Sequence, residues 1–413
     1  MIKVIHFADF HLGMDNYGHI DTKTGLSTRA LDFLASLDFL VEHALAHDTD
    51  IVLFAGDAFK TRSPSPTHQR EFASRIRRLS AAGVQTVLLV GNHDLPVTMG
   101  KAHTLEIFRT LNVPNVIVAD RPGLHQVPAR SGEFLQVLAL PWVLKSHILA
   151  KDKYKGLGLT ELGSVMRQRL VELLITGTNS LSKQARTDRP LVLLAHGTVE
   201  GAVFGSEQDA MLGNDLIIPR DIAFSPIFDY VAMGHLHKHQ QVGEDPPVVY
   251  AGSMERVDFG EARDPKGFVE LELGVWAGLL DWRFVETPTR DFVTLDVAVE
   301  EDEDADRAVV KAVGGMVKLA DVILRINVSG AGLLNEGLIR AAAAAAANVS
   351  IRNVRPRGPA RLRLAADGDL RDYTPEQLLK HYFVAKGTPK KRAEMLMGLA
   401  KEIIEEVDND TTE

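Results

Sequence analysis

Apolar residues in the first part of the chain gather in short runs separated by longer stretches of mixed character. Val4–Ala8, Ile51–Ala55, Val84–Val90 and Val116–Ala119 are rich in β-branched side chains and bounded by polar or glycine positions. Such runs predict strands buried on both faces. Between them, Ser27–Ala46 sets Leu31, Leu34, Phe39, Leu40 and Leu45 along one side, and Pro66–Ala82 follows as a second helical stretch. The βαβα rhythm predicts a sheet with crossover helices. From Gly123 to Pro141 the pattern turns hairpin-like. Residues around Lys145–Leu159 predict a long polar loop, Glu161–Ile175 a helix and Thr176–Arg189 a polar connector. Strands resume at Leu191–Ala195, Tyr230–Met233 and Val248–Tyr250, and Phe268–Leu273 pairs with Leu279–Phe284 as a hairpin. This second run predicts a second sheet packed on the first.

At Thr287-Pro288-Thr289 the chain changes character, which marks a boundary. Phe292–Val299, an acidic helix start at Glu300–Asp306, Val322–Val328, the alanine-rich Leu333–Ala347 and Val349–Val354 then predict a small β-α-β-α-β unit. The run Ala341–Ala347 reads as helix because alanine has the highest helix propensity. Further on, Thr374-Pro375-Glu376-Gln377 supplies an N-cap, a first-turn proline and a capping-box glutamine, and Thr388-Pro389 repeats the start signal. Leu378, Leu379, Tyr382 and Phe383 form one apolar face; Ala393, Leu396, Ala400, Ile403 and Val407 form another. Lys390, Lys391 and Arg392 begin the second helix and Glu402, Glu405 and Glu406 end it, opposite to what the helix dipole favours. A helix so weak alone is expected to take its order from a partner. The expected units are residues 1–286, 290–366 and 373–408.

Length and composition narrow this picture. At 413 residues, with 45% hydrophobic and 24% charged positions, two or three globular domains are expected. The absence of cysteine excludes disulfides and thiolate chemistry and fits a reducing compartment. The opening Lys3–Ala8 run is too short for a secretory h-region, and no apolar run reaches the ~18 residues of a membrane span. A soluble, cytoplasmic protein is expected. A formal charge of −9 argues against a general nucleic-acid coat protein, yet leaves room for an enzyme with a local basic track.

The candidate chemistry lies where the predicted strands end. Gly91-Asn92-His93-Asp94 follows the third strand, over the sheet edge where open α/β sheets bind ligands. Asp9 and His11 close the first strand, two residues apart and therefore expected on one face. Asp57 follows Gly56 after the second, His196 ends Leu191–Ala195, and His235 and His237 follow Gly234. A single histidine after a strand is an ordinary loop residue; five strand ends that each deliver a hard or borderline ligand are not. Without thiolates the set suits manganese, iron, zinc or magnesium. It holds more ligands than one ion needs, so two ions are expected, with Asp57 as the bridging carboxylate. His93 is then available to stabilise developing charge or protonate a leaving oxygen, with Asp94 expected to orient its ring. His6, His43, His47, His103, His125, His147 and His381 lack such a pattern and read as structural or solvated.

These pieces, Asp9-x-His11, Gly56-Asp57, Gly91-Asn92-His93-Asp94, His196 and Gly234-His235-x-His237, resemble the five motifs of the calcineurin-like metallophosphoesterases, in family order. The resemblance implies an α/β fold of two sheets sandwiched between helices. It places Asp9, His11, Asp57 and His237 on one ion and Asp57, Asn92, His196 and His235 on the other, with His93 catalytic. Ala251–Glu261 and Pro64-Ser65-Pro66 are similar to the SbcD-type nucleases, which work with the SbcC ATPase on DNA double-strand breaks. That likeness implies manganese, double-strand exonuclease and single-strand endonuclease activity, and a homodimer. It also makes the small unit after Thr287 a DNA-capping domain and docks the C-terminal helices on the SbcC coiled coil. Lys60, Arg62, Arg256, Arg263, Arg352, Arg355, Arg357, Arg361 and Arg363 are the basic candidates for DNA contact. Lys60 departs from the family, which commonly has Asp or His there, so the catalytic role some relatives give that histidine does not carry over. Two rivals stand beside this reading: a phosphodiesterase of nucleotides or small molecules, and a non-catalytic scaffold of the same fold.

Overall fold

The protein is described by a computed structural model covering residues 1–96, 101–142, 172, 180, 183–205, 217–300, 303–330, 333–354, 377, 379–380, 382–383 and 392–400. The strands begin with β1 (Ile2–Phe7), β2 (Ile51–Phe54), β3 (Gln85–Leu89), β4 (Val116–Ala119), β5 (Gly123–Pro128), β6 (Phe134–Leu140), β7 (Leu191–His196), β8 (Thr198–Val199) and β9 (Ile217–Ile218). They continue with β10 (Tyr230–Gly234), β11 (Gln240–Glu244), β12 (Pro247–Tyr250), β13 (Gly267–Gly274) and β14 (Gly278–Glu286). The last three are β15 (Phe292–Ala298), β16 (Ile323–Ser329) and β17 (Asn348–Val354).

Two six-stranded sheets form the body, in the orders β14-β13-β1-β2-β3-β4 and β11-β12-β10-β7-β6-β5. Strands β1 to β4 run parallel, which requires the crossover helices α1 (Thr28–Ala46) and α2 (Pro66–Ala81). Ser27 and Ser65 cap them, accepting from Arg29 N and His68 N. The two runs of strands do not sort into one sheet each. Hairpin β13–β14, late in the chain, joins the first sheet through antiparallel pairing of β13 with β1, while β5–β6 belongs to the second. Strand spacing in the sequence carries no information on which edge a hairpin joins.

Side chains alternate across the strands and divide the core. Val192 and Leu194 of β7 face Val4, Leu53 and Val87 between the sheets, whereas Leu191 and Leu193 face outward under the helix Arg220–Ala223. On the far side of the first sheet, Phe7, Phe54 and Leu88 pack with Phe33, Leu37 and Leu40 of α1 and Phe72 and Ile76 of α2. Leu34 and Leu40 are buried there and Phe39 and Leu45 pack on the same cluster, so this face of α1 is core. The inner strands β1, β2, β3, β7 and β10 are covered on both faces and read as near-continuous apolar runs, whereas the edge strands β5, β11 and β14 are part-exposed and mixed.

After β14 a three-stranded parallel sheet, β15-β16-β17, carries helices Ala305–Gly314 and Glu336–Ala342 over its own core of Val309, Val313, Leu324, Ile326 and Ile339. The alanine run is helical only to Ala342. Asn348 pairs with Ile323 at the start of β17, so residues 343–347 must turn, and Ala347 N donates to the Val322 carbonyl at 2.9 Å. Arg290 joins this unit to the body, reaching Asp32 of α1 at 2.8 Å and the Asp321 carbonyl at 3.0 Å. The predicted loop at 145–159 and helix at 161–175 lie outside the described residues except for Glu172. Among the described residues no helix is long and apolar enough to cross a membrane.

Candidate metal centre

The five chain segments meet at one edge of the sandwich. Strand β1 stops at Phe7, so Asp9 and His11 are not two positions of a strand sharing a face; they converge because the loop curls. Asp9, His11, Asp57 and His235 all adopt left-handed backbone, with φ of 50°, 47°, 65° and 99°. Side-chain-bearing residues avoid that region at a cost of about 1–3 kcal/mol each, and it collects at functional sites. The segment 8–12 is held in this shape by the one after β2: Asp9 N donates to Gly56 O, His11 N to Asp57 O and Leu12 N to Ala58 O, each at 3.0 Å. Glycine is required where the loops touch. A Cβ on Gly91 would sit 2.2 Å from Asp57 Oδ1, and one on Gly56 2.5 Å from His196 Nδ1.

The donor atoms cluster tightly. Asp9, His11 and His237 place one ligand atom each within 4.8 Å of one another, as do Asp9, Asp57 and His196. His11 Nε2 and His237 Nε2 stand 3.0 Å apart. Asp57 Oδ2 lies 3.5 Å from His196 Nε2 and 3.8 Å from His11 Nε2, which places this carboxylate between the two groups. Asn92 Oδ1 lies 2.9 Å from His196 Nε2 and 3.2 Å from His235 Nδ1. Asp9 accepts from His235 N through both oxygens at 3.0 Å. Asp9, Asp57, His196 and His235 are each at most 2% exposed.

The charges in this pocket call for a cation. Burial, with the Asp57 charge adding to it, holds the Asp9 carboxyl well above the ordinary carboxylate range. Burial also disfavours Asp57, yet His196, His93 and His11 around it hold its carboxyl well below that range. Burial works against a charged His196, but the adjoining Asp57 outweighs it and raises the imidazole to about 9. Two buried carboxylates and four imidazoles with facing nitrogens fit divalent ions, which would replace the protons. Asp9, His11, Asp57 and His237 would hold one ion, and Asp57, Asn92, His196 and His235 the other.

His93 and Asp94 part company. The His93 ring stands 4.9 Å from the His11 ring, edge to face, and its Nδ1 donates to the Lys60 carbonyl at 2.8 Å. Nε2 is thereby the ring nitrogen that Lys60 does not engage. Asp94 does not orient this ring. It is fully buried and faces away, its Oδ2 accepting from Asp57 N and Gly91 N at 3.0 Å and its Oδ1 from Ala58 N and Thr104 Oγ1 at 3.1 Å. Asp94 therefore ties the second loop to the third.

Two groups beside the ligands carry no sequence signal of their own. Trp142 is anchored by its backbone N–H on Val90 O at 3.0 Å, and its ring lies 5.0 Å from that of His235. Glu261, fully buried, accepts from His237 Nδ1 at 2.8 Å. Glu261 falls in the stretch that resembles the SbcD-type nucleases, but nothing in the spacing pointed to a histidine 24 residues upstream.

The basic candidates separate in the same way. Lys60, Arg62, Arg263 and Arg352 are exposed, and Arg62 Nε lies 3.4 Å from Asn92 O at the rim of the centre. Arg256 is turned inward instead: its Nη1 donates to Thr289 Oγ1 at 2.6 Å and to Arg290 O at 3.0 Å, bracing the link to the second unit. Arg355, Arg357, Arg361 and Arg363 lie outside the described residues, as does most of the C-terminal segment. A second imidazole–carboxylate group, His43, His47 and Glu270, sits at the opposite edge, where Glu270 is paired with His43 at 2.5 Å and Arg283 at 2.6 Å. His6 is structural, as expected, hydrogen-bonded between the sheets.

The sequence profile of the calcineurin-like phosphoesterases matches residues 2–239, more than half of the chain and all seven ligand candidates. Among curated relatives, the SbcD component of nuclease SbcCD from Escherichia coli (strain K12) is 29% identical over 64% of this chain and 63% of its own length. The SbcD component from Rhodobacter capsulatus is 29% identical over 66% of each chain. DNA double-strand break repair protein Mre11 of Archaeoglobus fulgidus is 25% identical over 80% of this chain and 69% of its own. The chain thus spans less than two thirds of the length of the Escherichia coli relative.

Proposed function

Since the chain belongs to the calcineurin-like phosphoesterase family, which implies divalent metal ions, we propose that it is a two-metal DNA nuclease, the SbcD-type component of an SbcCD-type complex. The favoured metal is manganese, and the activities are double-strand exonuclease and single-strand endonuclease. The observation that supports this most is the gathering of Asp9, His11, Asn92, His196, His235 and His237 about the Asp57 carboxylate, with no family ligand missing. Relatives named as nuclease components and break-repair proteins favour DNA over small phosphodiesters. So does the α/β unit after Thr287, taken here as a DNA-capping domain over 290–366 behind a phosphoesterase domain over 1–286.

Bound ions contribute Lewis-acid polarisation of the phosphodiester and a more acidic attacking water. The chain's own residues do the rest. His93, anchored at Nδ1–H by the Lys60 carbonyl, presents Nε2 to the leaving oxygen. A second proton taken up there from solvent is what the ring would hand to that oxygen, while the attacking water sheds its own proton to solvent. Lys60 and Arg62, exposed at the rim, track the phosphates on either side. Trp142 lies against the His235 ring, with centroids 5.0 Å apart, and limits its movement.

The partner in this reading is the coiled-coil ATPase, gripped through residues 373–408. Tyr382, Met395 and Leu399 in the described part of that segment are 46%, 63% and 52% exposed, large apolar groups that a partner would cover. The compartment is the cytoplasm. A chain ending near Asp372 should lose the ATPase while keeping metal-dependent cleavage; full affinity in that chain would remove the segment from the interface.

The decisive experiment counts bound manganese and follows degradation of linear duplex DNA beside a chromogenic phosphodiester. The wild type should bind two ions and prefer duplex; a preference for the small ester would favour the nucleotide phosphodiesterase. His93→Asn should keep both ions and lose cleavage by about 10²–10⁴-fold. Undiminished cleavage would take His93 out of the chemistry.

A further inference from the structure

Behind His237 lies a fully enclosed ion pair that no ligand assignment uses. Glu261 is 0% exposed and Lys266 2% exposed. Glu261 Oε1 accepts from His237 Nδ1 at 2.8 Å, and Oε2 accepts from Lys266 Nζ at 2.8 Å and Val257 N at 2.9 Å. Lys266 Nζ also donates to the His237 carbonyl at 3.1 Å and to Ser253 Oγ at 2.8 Å. The pair therefore grips His237 twice, by its ring and by its backbone. Glu261 is in turn held by its own segment, the single turn Phe259–Glu261, whose Phe259 packs against Tyr17 and Phe292 with ring centroids 5.1 and 4.9 Å apart. His196 offers a contrast, since its Nδ1 rests on a neutral acceptor, the Ala55 carbonyl, at 2.6 Å.

An isolated buried ion pair contributes little net stability, because desolvating both charges offsets their attraction. Its position is the informative part. A carboxylate on the far nitrogen of a ligand imidazole fixes the proton there, leaves the near nitrogen as the donor and raises its basicity. We propose that Glu261 and Lys266 are a positioning pair that locks His237 as the Nδ1–H tautomer with Nε2 aimed at His11 Nε2, and so sets the affinity of one of the two ions. This rests on the two-ion reading of the centre. The ion of Asp9, His11 and His237 depends on the pair; the ion of Asn92, His196 and His235 does not.

The test uses the full chain and manganese alone, with binding isotherms as the readout. Wild type should take up two ions; fewer than two would overturn the two-ion reading itself. In Glu261→Gln the amide oxygen stays with Val257 N and Lys266, and the NH₂ turns to His237 and donates to Nδ1. The proton is then driven to Nε2, the wrong tautomer. One ion should weaken about 10–100-fold while the other stays within about threefold. Because this variant leaves Lys266 without its counter-charge, the double variant Glu261→Gln/Lys266→Met is measured beside it. It removes both charges, and the same single-site loss should persist at near-wild-type thermal midpoint, with the His237 ring ¹⁵N signals moving from the Nδ1–H to the Nε2–H pattern. Wild-type binding of both ions in the double variant, or equal weakening of both, would overturn the proposal.

Discussion

His6 lies between the two sheets with both ring nitrogens engaged: Nε2 donates to the Met233 carbonyl and Nδ1 accepts from the Tyr230 hydroxyl, each at 3.2 Å. The Met233 oxygen can only accept, so the neutral ring carries its proton on Nε2. A second proton would place a charge in the middle of the sandwich, and burial accordingly lowers this imidazole from 6.5 to about 3. Unfolded, the residue takes up a proton as pH falls below about 6.5; folded, it resists until about 3. The unfolded state therefore binds more protons across that window, and stability is lost as pH falls through it. At ~1.4 kcal/mol per unit of separation, the loss comes to about 2 kcal/mol by about pH 5 and about 5 kcal/mol in full. Urea unfolding of the metal-free protein at about pH 7, 6 and 5 measures it, beside His6→Gln, whose amide serves Met233 and Tyr230 without titrating. The wild type should lose about 2 kcal/mol more than the variant between the first and last of these conditions. Parallel pH dependences would refute the reasoning and show that His6 is either hydrated or already charged in the folded state.

Arg256→Ala removes the hydrogen bonds to Thr289 and the Arg290 carbonyl and should lower unfolding stability by about 2 kcal/mol. The salt dependence of duplex binding should not change; a log–log slope smaller by about one would return Arg256 to the DNA surface. Asp94→Ala strips the acceptor from three buried backbone N–H groups and should cost the metal-free protein about 3 kcal/mol or more in urea unfolding. A variant of wild-type stability with lost turnover would instead make Asp94 the group that orients His93.

The seven ligand candidates stood out because each is announced locally, by a polar residue placed just after an apolar strand run, and the fold brings them together. The same locality explains what stayed hidden. Asp94 is bound to partners 36 and 37 residues earlier, and its short distance from His93 along the chain suggested a contact that the fold does not make. Arg256 looked like a free cation because its acceptors lie 33 and 34 residues downstream, across the boundary between the two units. The crossover strands and the three-stranded unit followed from periodicity, whereas the attachment of β13–β14 to β1 depends on edge pairing, which periodicity does not encode.

The departure at Lys60 has a physical reading in the same terms. A side chain that differs from the family pattern at a catalytic rim would ordinarily cast doubt on the chemistry nearby. Here the anchor for His93 is the Lys60 carbonyl, and that carbonyl is placed by backbone pairing, Lys60 N donating to Leu12 O at 3.1 Å within the same ladder that holds Asp9 and His11. Any residue but proline can supply the same oxygen in the same place. The ring's tautomer and aim are thus independent of the side chain, which is exposed and at liberty to meet phosphate. Variation at this position therefore leaves the setting of the His93 ring unchanged, because that setting depends on a backbone held by the same loops that carry Asp9 and His11.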